Sequence, residues 1–82
     1  MAEMIKLLSA EIALSTANTV SNASVVRCYN NTAGAVLITV AGAGAATGTA
    51  TLGAGVTEYY QKLSTQTIAS NAAIRATSVA FN

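Results

Sequence analysis

Side chains able to carry out acid–base or nucleophilic chemistry are scarce in this sequence. It contains no histidine and no aspartate, which removes the commonest general base, the Ser-His-Asp arrangement and most metal sites. Its carboxylates are Glu3, Glu11 and Glu58, so a catalytic pair would require Glu11 and Glu58 to meet in the fold. We therefore expect a protein that is not an enzyme and that holds no metal ion.

The single cysteine and the glycine clusters also have ordinary structural explanations. Cys28 lies in a run of β-favouring residues, where an isolated cysteine is typical of a small core side chain. Gly42-Ala43-Gly44 and Gly53-Ala54-Gly55 complete neither a dinucleotide fingerprint nor a phosphate-binding loop, and turn chemistry accounts for both. We expect no bound cofactor.

The residue types that favour contacts with another protein are easier to find. Tyr59 and Tyr60 are adjacent in a predicted strand, so one ring should fill the core while the other faces a partner. Arg27 belongs to a neighbouring strand, and Gly42 and Gly44 lie in a stretch with so little side chain that it can lie closely against a neighbour. These five residues are the predicted partner-binding set.

Charge is the most informative property of the composition. Charged residues make up 9% of the chain, against about a quarter in ordinary soluble domains, and the net charge is only +1. Such a surface lacks the repulsion that keeps small proteins apart, so we expect it to be covered by other protein, with a homo-oligomer as one form of that cover. The basic residues are scattered, and nucleic acid is not an expected partner.

The uncharged segment 28–57 is long enough to cross a bilayer, which leaves a small membrane protein as an alternative of another class. The segment contains asparagines, threonines and all the glycines of the chain, and it has neither an aromatic belt nor a basic flank. We therefore expect no membrane partner.

The strongest strand signals lie between residues 25 and 40. Val25–Tyr29 and Val36–Val40 are β-favouring runs, and the turn-forming segment Asn30–Gly34 between them predicts a hairpin. In the second run Val36, Ile38 and Val40 alternate onto one face, which we expect to be core; in the first, Val26 and Cys28 share a face.

The remaining chain gives weaker signals. Met4–Leu14 fits either a helical stripe or two short strands, Ile5–Leu7 and Ile12–Leu14, and the β-rich composition elsewhere favours strands. Ala41–Ala50 is small and of low complexity, and we interpret it as a long connection leading to a strand near Thr49–Leu52.

Further strands are predicted after the second glycine cluster, at Val56–Lys62, Thr67–Ala69 and Ala73–Phe81. The pattern of about six to eight short strands, with no convincing crossover helix, predicts a small antiparallel β-sandwich or barrel. We expect an all-β fold with residues 1–82 as a single domain, in which 1–24 is a possible extended arm.

Taken in order, the strand and turn motifs resemble a known family. They are Val26–Thr32, Val36–Val40, Gly48–Gly55, Glu58–Lys62, Thr65–Ala69 and Ala76–Phe81. Together they are similar to the small β-sandwich virion proteins of tailed bacteriophages, particularly cyanophages. The resemblance implies a structural protein located in the virion: a capsid decoration (cement) protein bound to the major capsid protein, or alternatively a neck, tail or fibre subunit.

Overall fold

The chain folds into two antiparallel β-sheets, as a computed structural model describes for residues 4–81. Residues 1–3 of the predicted arm, Glu3 among them, and Asn82 lie outside the described part. The strands are β1 (Ile5–Leu7), β2 (Ile12–Leu14), β3 (Val25–Tyr29), β4 (Val36–Gly42), β5 (Ala45–Leu52), β6 (Thr57–Gln61), β7 (Thr67–Ser70) and β8 (Ile74–Phe81). The all-β prediction is confirmed, with the form of a small sandwich. Residues 4–81 include no helix long and apolar enough to cross a membrane.

The larger sheet is built around β8. Its order is β1-β8-β3-β6, and β2 also pairs with β8. Ile5 lies opposite Phe81 and Leu14 lies opposite Ile74, so β1 and β2 occupy successive halves of the same edge of β8. The two short strands favoured over a helix between residues 4 and 14 are therefore present, and both lie on the chain's own β8.

The smaller sheet has the order β5-β4-β7, and the core lies between the two sheets. Val36 and Ile38 point inward from β4, and Val26 and Cys28 point inward from β3, as the period of two predicts. Leu14, Leu52, Ile68 and Ile74 supply most of the remaining apolar volume. The core contains little apolar side-chain volume, because valine, alanine and cysteine fill many of its positions.

The predicted hairpin between β3 and β4 is wrong. β3 pairs with β6 and β8, whereas β4 pairs with β5 and β7, so the segment 30–35 crosses from one sheet to the other. The buried side chain of Asn30 stabilises this crossing: its amide nitrogen donates to the carbonyl oxygens of Gly34 and Leu52, each at 2.9 Å. Turn-forming residues are equally suited to a hairpin and to this crossing, so local sequence cannot choose between them.

The predicted long connection over Ala41–Ala50 is also wrong. β4 continues to Gly42, β5 begins at Ala45, and Ala43 and Gly44 form a two-residue turn between them. Both turn residues have positive φ, 56° and 71°, as a tight hairpin turn matching the strand twist requires. The register shifts between Val40 and Gly42, which marks a bulge in the hairpin. Backbone pairing with β4 keeps the Ala/Gly/Thr sequence extended despite its weak β propensity.

The two sides of the sandwich differ. On the β7 side, Asn18 and Ile68 exchange backbone hydrogen bonds at 2.9 and 3.0 Å, and the amide of Ser70 donates to the carbonyl of Ser15. On the β5 side, the edge strands β5 and β6 are joined through the turn that follows Leu52. The sandwich is thus closed along one side and open along the other.

Candidate binding surface

Arg27 and Tyr59 lie side by side on the outer face of the larger sheet. They are directly opposite each other in the pairing of β3 with β6, and Thr77 of β8 lies opposite Arg27 on its other side. Arg27 Nη1 is 3.7 Å from Glu11 Oε2, and both side chains are partly exposed. This ion pair is worth less than about 1 kcal/mol, because solvent screens it. The structure therefore presents a guanidinium beside a tyrosine ring that is 37% exposed.

Tyr60 points the other way, as the alternation predicts. It is half-buried and packs against the core, and burial raises the pKa of its hydroxyl, with smaller contributions from Cys28 and Glu58. Cys28 itself is fully buried, and burial raises the pKa of its thiol to about 12, although the nearby Arg27 charge opposes the shift. A thiol this hard to ionise is a core residue and a poor nucleophile.

An open cavity of about 350 Å³ lies between β5 and β6, and we call it the open seam. Ile38, Val40 and Tyr60 form its apolar floor. Its wall along β5 consists of Ala46, Gly48, Thr49 and Ala50, and its rim includes Gln61 and Gln66. Seven of the eight β5 residues are exposed, which reflects both the missing partner strand and the small side chains.

Gly42 and Gly44 lie at the β4–β5 turn and have positive φ, 102° and 71°. A side chain at Gly42 would come within 3.8 Å of the Gln66 backbone, whereas the position at Gly44 is open. Their conformation explains why glycine occupies both positions. The structure thus divides the predicted set: Arg27 and Tyr59 share the outer face, Tyr60 lines the open seam, and the two glycines shape a hairpin in the other sheet.

Two buried polar residues escaped sequence reasoning. The Nζ atom of Lys62 donates to the carbonyl oxygens of Ala23 at 2.6 Å and Leu63 at 3.3 Å, and burial lowers the pKa of this ammonium group. Gln66 accepts a hydrogen bond from the Leu63 amide at 2.8 Å. The ammonium group of Lys62 thus binds backbone carbonyls. Nothing in the local sequence distinguishes these two residues from exposed polar ones.

A cluster of exposed apolar side chains at the start of the described chain was also missed. Met4, Leu7 and Leu8 are 71%, 70% and 52% exposed, and Ile5 is 39% exposed. We call Met4–Leu8 the apolar arm. Its apolar residues were visible in the sequence, but their position on the far edge of β8, away from the core, depends on long-range pairing.

No group of three or more His, Cys, Asp or Glu side chains within residues 4–81 is placed to hold a metal ion. Comparison with protein-family models, with curated proteins and with solved structures found no match to the chain. Its function must therefore be inferred from its own surfaces.

Proposed function

We propose that the chain is a structural protein of a tailed bacteriophage virion, and that it acts as a capsid decoration protein. In this role many copies bind the major capsid protein and stabilise the head lattice. The observation that carries the proposal is β5: a long, uncharged, exposed edge strand beside the open seam. The resemblance of the strand and turn motifs to phage virion proteins gives the proposal its specific form.

An edge such as β5 favours association for a simple reason. Half of its backbone N–H and C=O groups face away from β4, and free proteins usually protect such an edge with lysine, proline or a covering loop. β5 contains no charged residue and no proline, and its bulge near Val40 and Gly42 is the one protective feature. A protein that works within an assembly has no need of further protection, because its neighbours cover the edge.

The contact with the capsid is assigned to the outer face that carries Tyr59 and Arg27. Tyrosine and arginine are the residue types that most often dominate the energy of protein interfaces. Here both residues lie on paired strands, so little loop ordering opposes binding. Because the protein binds the assembled lattice and not the separated capsid subunits, its binding stabilises the particle by mass action.

Binding to virions tests this role. The purified chain carrying a small tag is added to heads of a phage that encodes it, after the native copies have been removed, and bound protein is measured by sedimentation. We expect saturable binding and a higher temperature of head disruption. Replacing Tyr59 by Ser together with Arg27 by Ser should reduce binding at least tenfold, whereas the exposed control Leu63→Ser should bind normally. Unchanged binding by the double variant would reject the assigned face.

The position in the particle separates the two virion roles. Gold-labelled antibody against the chain should decorate the whole head surface if the protein is a decoration protein. Label confined to the neck, tail or fibres would replace that role by the alternative one. Absence of the chain from purified virions would overturn both.

A further inference from the structure

The structure leaves two features uncovered that can fit together. One is the open seam, and the other is the apolar arm. We propose that the apolar arm of one copy fills the open seam of a second copy, so that the chain forms head-to-tail oligomers. This inference rests on the assembly role proposed above and names the surfaces that would make the contact between copies.

β5 lines the open seam with small side chains only. Ala46, Gly48 and Ala50 have small side chains, and they leave Val40 and Tyr60 on the floor partly accessible. The cavity of about 350 Å³ is more than twice the size of one that takes a benzene ring, roughly 150 Å³. The open seam therefore has room for two or three aliphatic side chains from another chain.

The apolar arm supplies side chains of this kind. It contributes four of the eight large apolar residues that are exposed in residues 4–81, namely Met4, Ile5, Leu7 and Leu8. Such a concentration of exposed apolar surface marks an interaction site. Because β1 is itself an edge strand, its free side and side chains can contact another copy while it stays paired with its own β8.

The positions of these features set the kind of oligomer. β1 and β6 lie at opposite edges of the larger sheet, so a copy that gives its arm to one neighbour still offers its seam to another. Such a heterologous contact builds a ring if the rotation between copies closes, and an open filament if it does not. The charges near the two features are also complementary, because Lys6 of the arm is positive and Glu58 of β6 is negative.

Disulfide trapping tests the contact directly. Leu7→Cys and Ala50→Cys variants are mixed in equal amounts and oxidised mildly, and the native Cys28 stays inert because it is buried. We expect the mixed Leu7→Cys/Ala50→Cys disulfide to dominate on non-reducing gels. The matched control replaces Leu7→Cys by Leu63→Cys, which is also exposed, and should cross-link weakly. Equal trapping with both partners, or a majority of Ala50→Cys pairs with themselves, would overturn the proposal.

Native mass gives a second, independent readout. Light scattering on a sizing column should give several times the monomer mass for the unaltered chain. The Leu7→Ser/Leu8→Ser variant should give the monomer, and Leu63→Ser should keep the oligomer. A monomeric unaltered chain, or an oligomer that survives in the arm variant, would refute the arm-to-seam contact.

These results are separable from the test of virion binding. Copies of the Tyr59→Ser/Arg27→Ser variant should still cross-link through Leu7→Cys and Ala50→Cys, because neither replaced residue lies in the arm or lines the seam. A chain that binds virions but fails in trapping would refute the contact and leave the decoration role standing. A chain that is trapped but does not bind virions would support the contact between copies and refute the decoration role.

Discussion

Asn30 holds the crossing between the two sheets, and its replacement by alanine should remove a large share of the stability. Its amide nitrogen donates to the carbonyls of Gly34 and Leu52, and its Oδ1 lies 2.9 Å from the Thr32 amide and 2.6 Å from the Thr32 hydroxyl. At about 1 kcal/mol for each bond, the loss is roughly 4 kcal/mol. A domain of this length has about 4–12 kcal/mol in total.

Urea denaturation followed by circular dichroism measures this loss. Asn30→Ala should lower the free energy of unfolding by roughly 3–4 kcal/mol, which for a domain of this size corresponds to about 15–30 °C in Tm. The control is Asn31→Ala at the exposed neighbouring position, which should change stability by less than about 0.5 kcal/mol. The denaturant slope should stay constant, since the same surface is exposed on unfolding.

Asn30→Asp sharpens the test, because it replaces the donating amide by an acceptor. A carboxylate would face the carbonyl oxygens of Gly34 and Leu52, so its pKa in the folded state should be raised. A raised carboxyl pKa costs stability only above the unfolded value of about 3.9. Relative to the unaltered chain, the variant should therefore lose much more free energy of unfolding at pH 7 than near pH 3.5. A pH-independent difference, or an Asn30→Ala loss below about 1 kcal/mol, would refute this account.

Three further predictions follow from burial and backbone geometry. Below pH 9 the Cys28 thiol is protonated in both the folded and the unfolded state, and above pH 9 it ionises only in the unfolded state, because its folded pKa is about 12. This difference should lower the free energy of unfolding by about 1.4 kcal/mol between pH 7 and pH 10. Cys28→Ala should lack that loss in denaturant titrations at the two pH values. Ile38→Ala should cost about 2–5 kcal/mol in the same assay, whereas Leu37→Ala, on the opposite face and 42% exposed, should cost under about 1 kcal/mol; similar losses would contradict the assigned core face. Ala43→Gly should raise Tm by relieving a positive φ at about 1 kcal/mol, and Gly44→Ala should lower it by a similar amount; opposite signs would argue against this turn.

Local pattern was sufficient where side-chain alternation reports burial. The inward faces of β3 and β4 and the opposite orientations of Tyr59 and Tyr60 follow from a period of two. The short strand Ile12–Leu14 follows instead from the β-rich composition of the rest of the chain. Pairing was harder to predict, because the same turn residues serve a hairpin and a crossing between sheets. The role of Asn30 depends on Leu52, a residue far along the chain, and no local signal reports that contact.

The candidate surface could be predicted only in part, because the sequence shows residue types but not which strands pair. Arg27 and Tyr59 were singled out by residue type, and the structure adds that they are cross-strand neighbours. The sequence does not predict the open seam, because it predicts a connection over Ala41–Ala50, where the first part of β5 lies. Alanine and glycine have weak β propensity, which hides the contribution of the threonines, and pairing with β4 makes this stretch a strand.

The central position of β8 has a consequence for the order of folding. β1, β2 and β3 all pair with this strand, which is synthesised after the seven others, so none of them can complete the larger sheet while the chain is still short. The β4–β5 hairpin, in contrast, can form as soon as its own residues are available. Folds dominated by distant pairings are slow to form, because loop closure costs entropy before contacts compensate for it. During synthesis the nascent chain could therefore carry a finished small sheet and a paired β3 and β6, while β1 and β2 stay unpaired until β8 is made, a state in which chaperone binding would matter most.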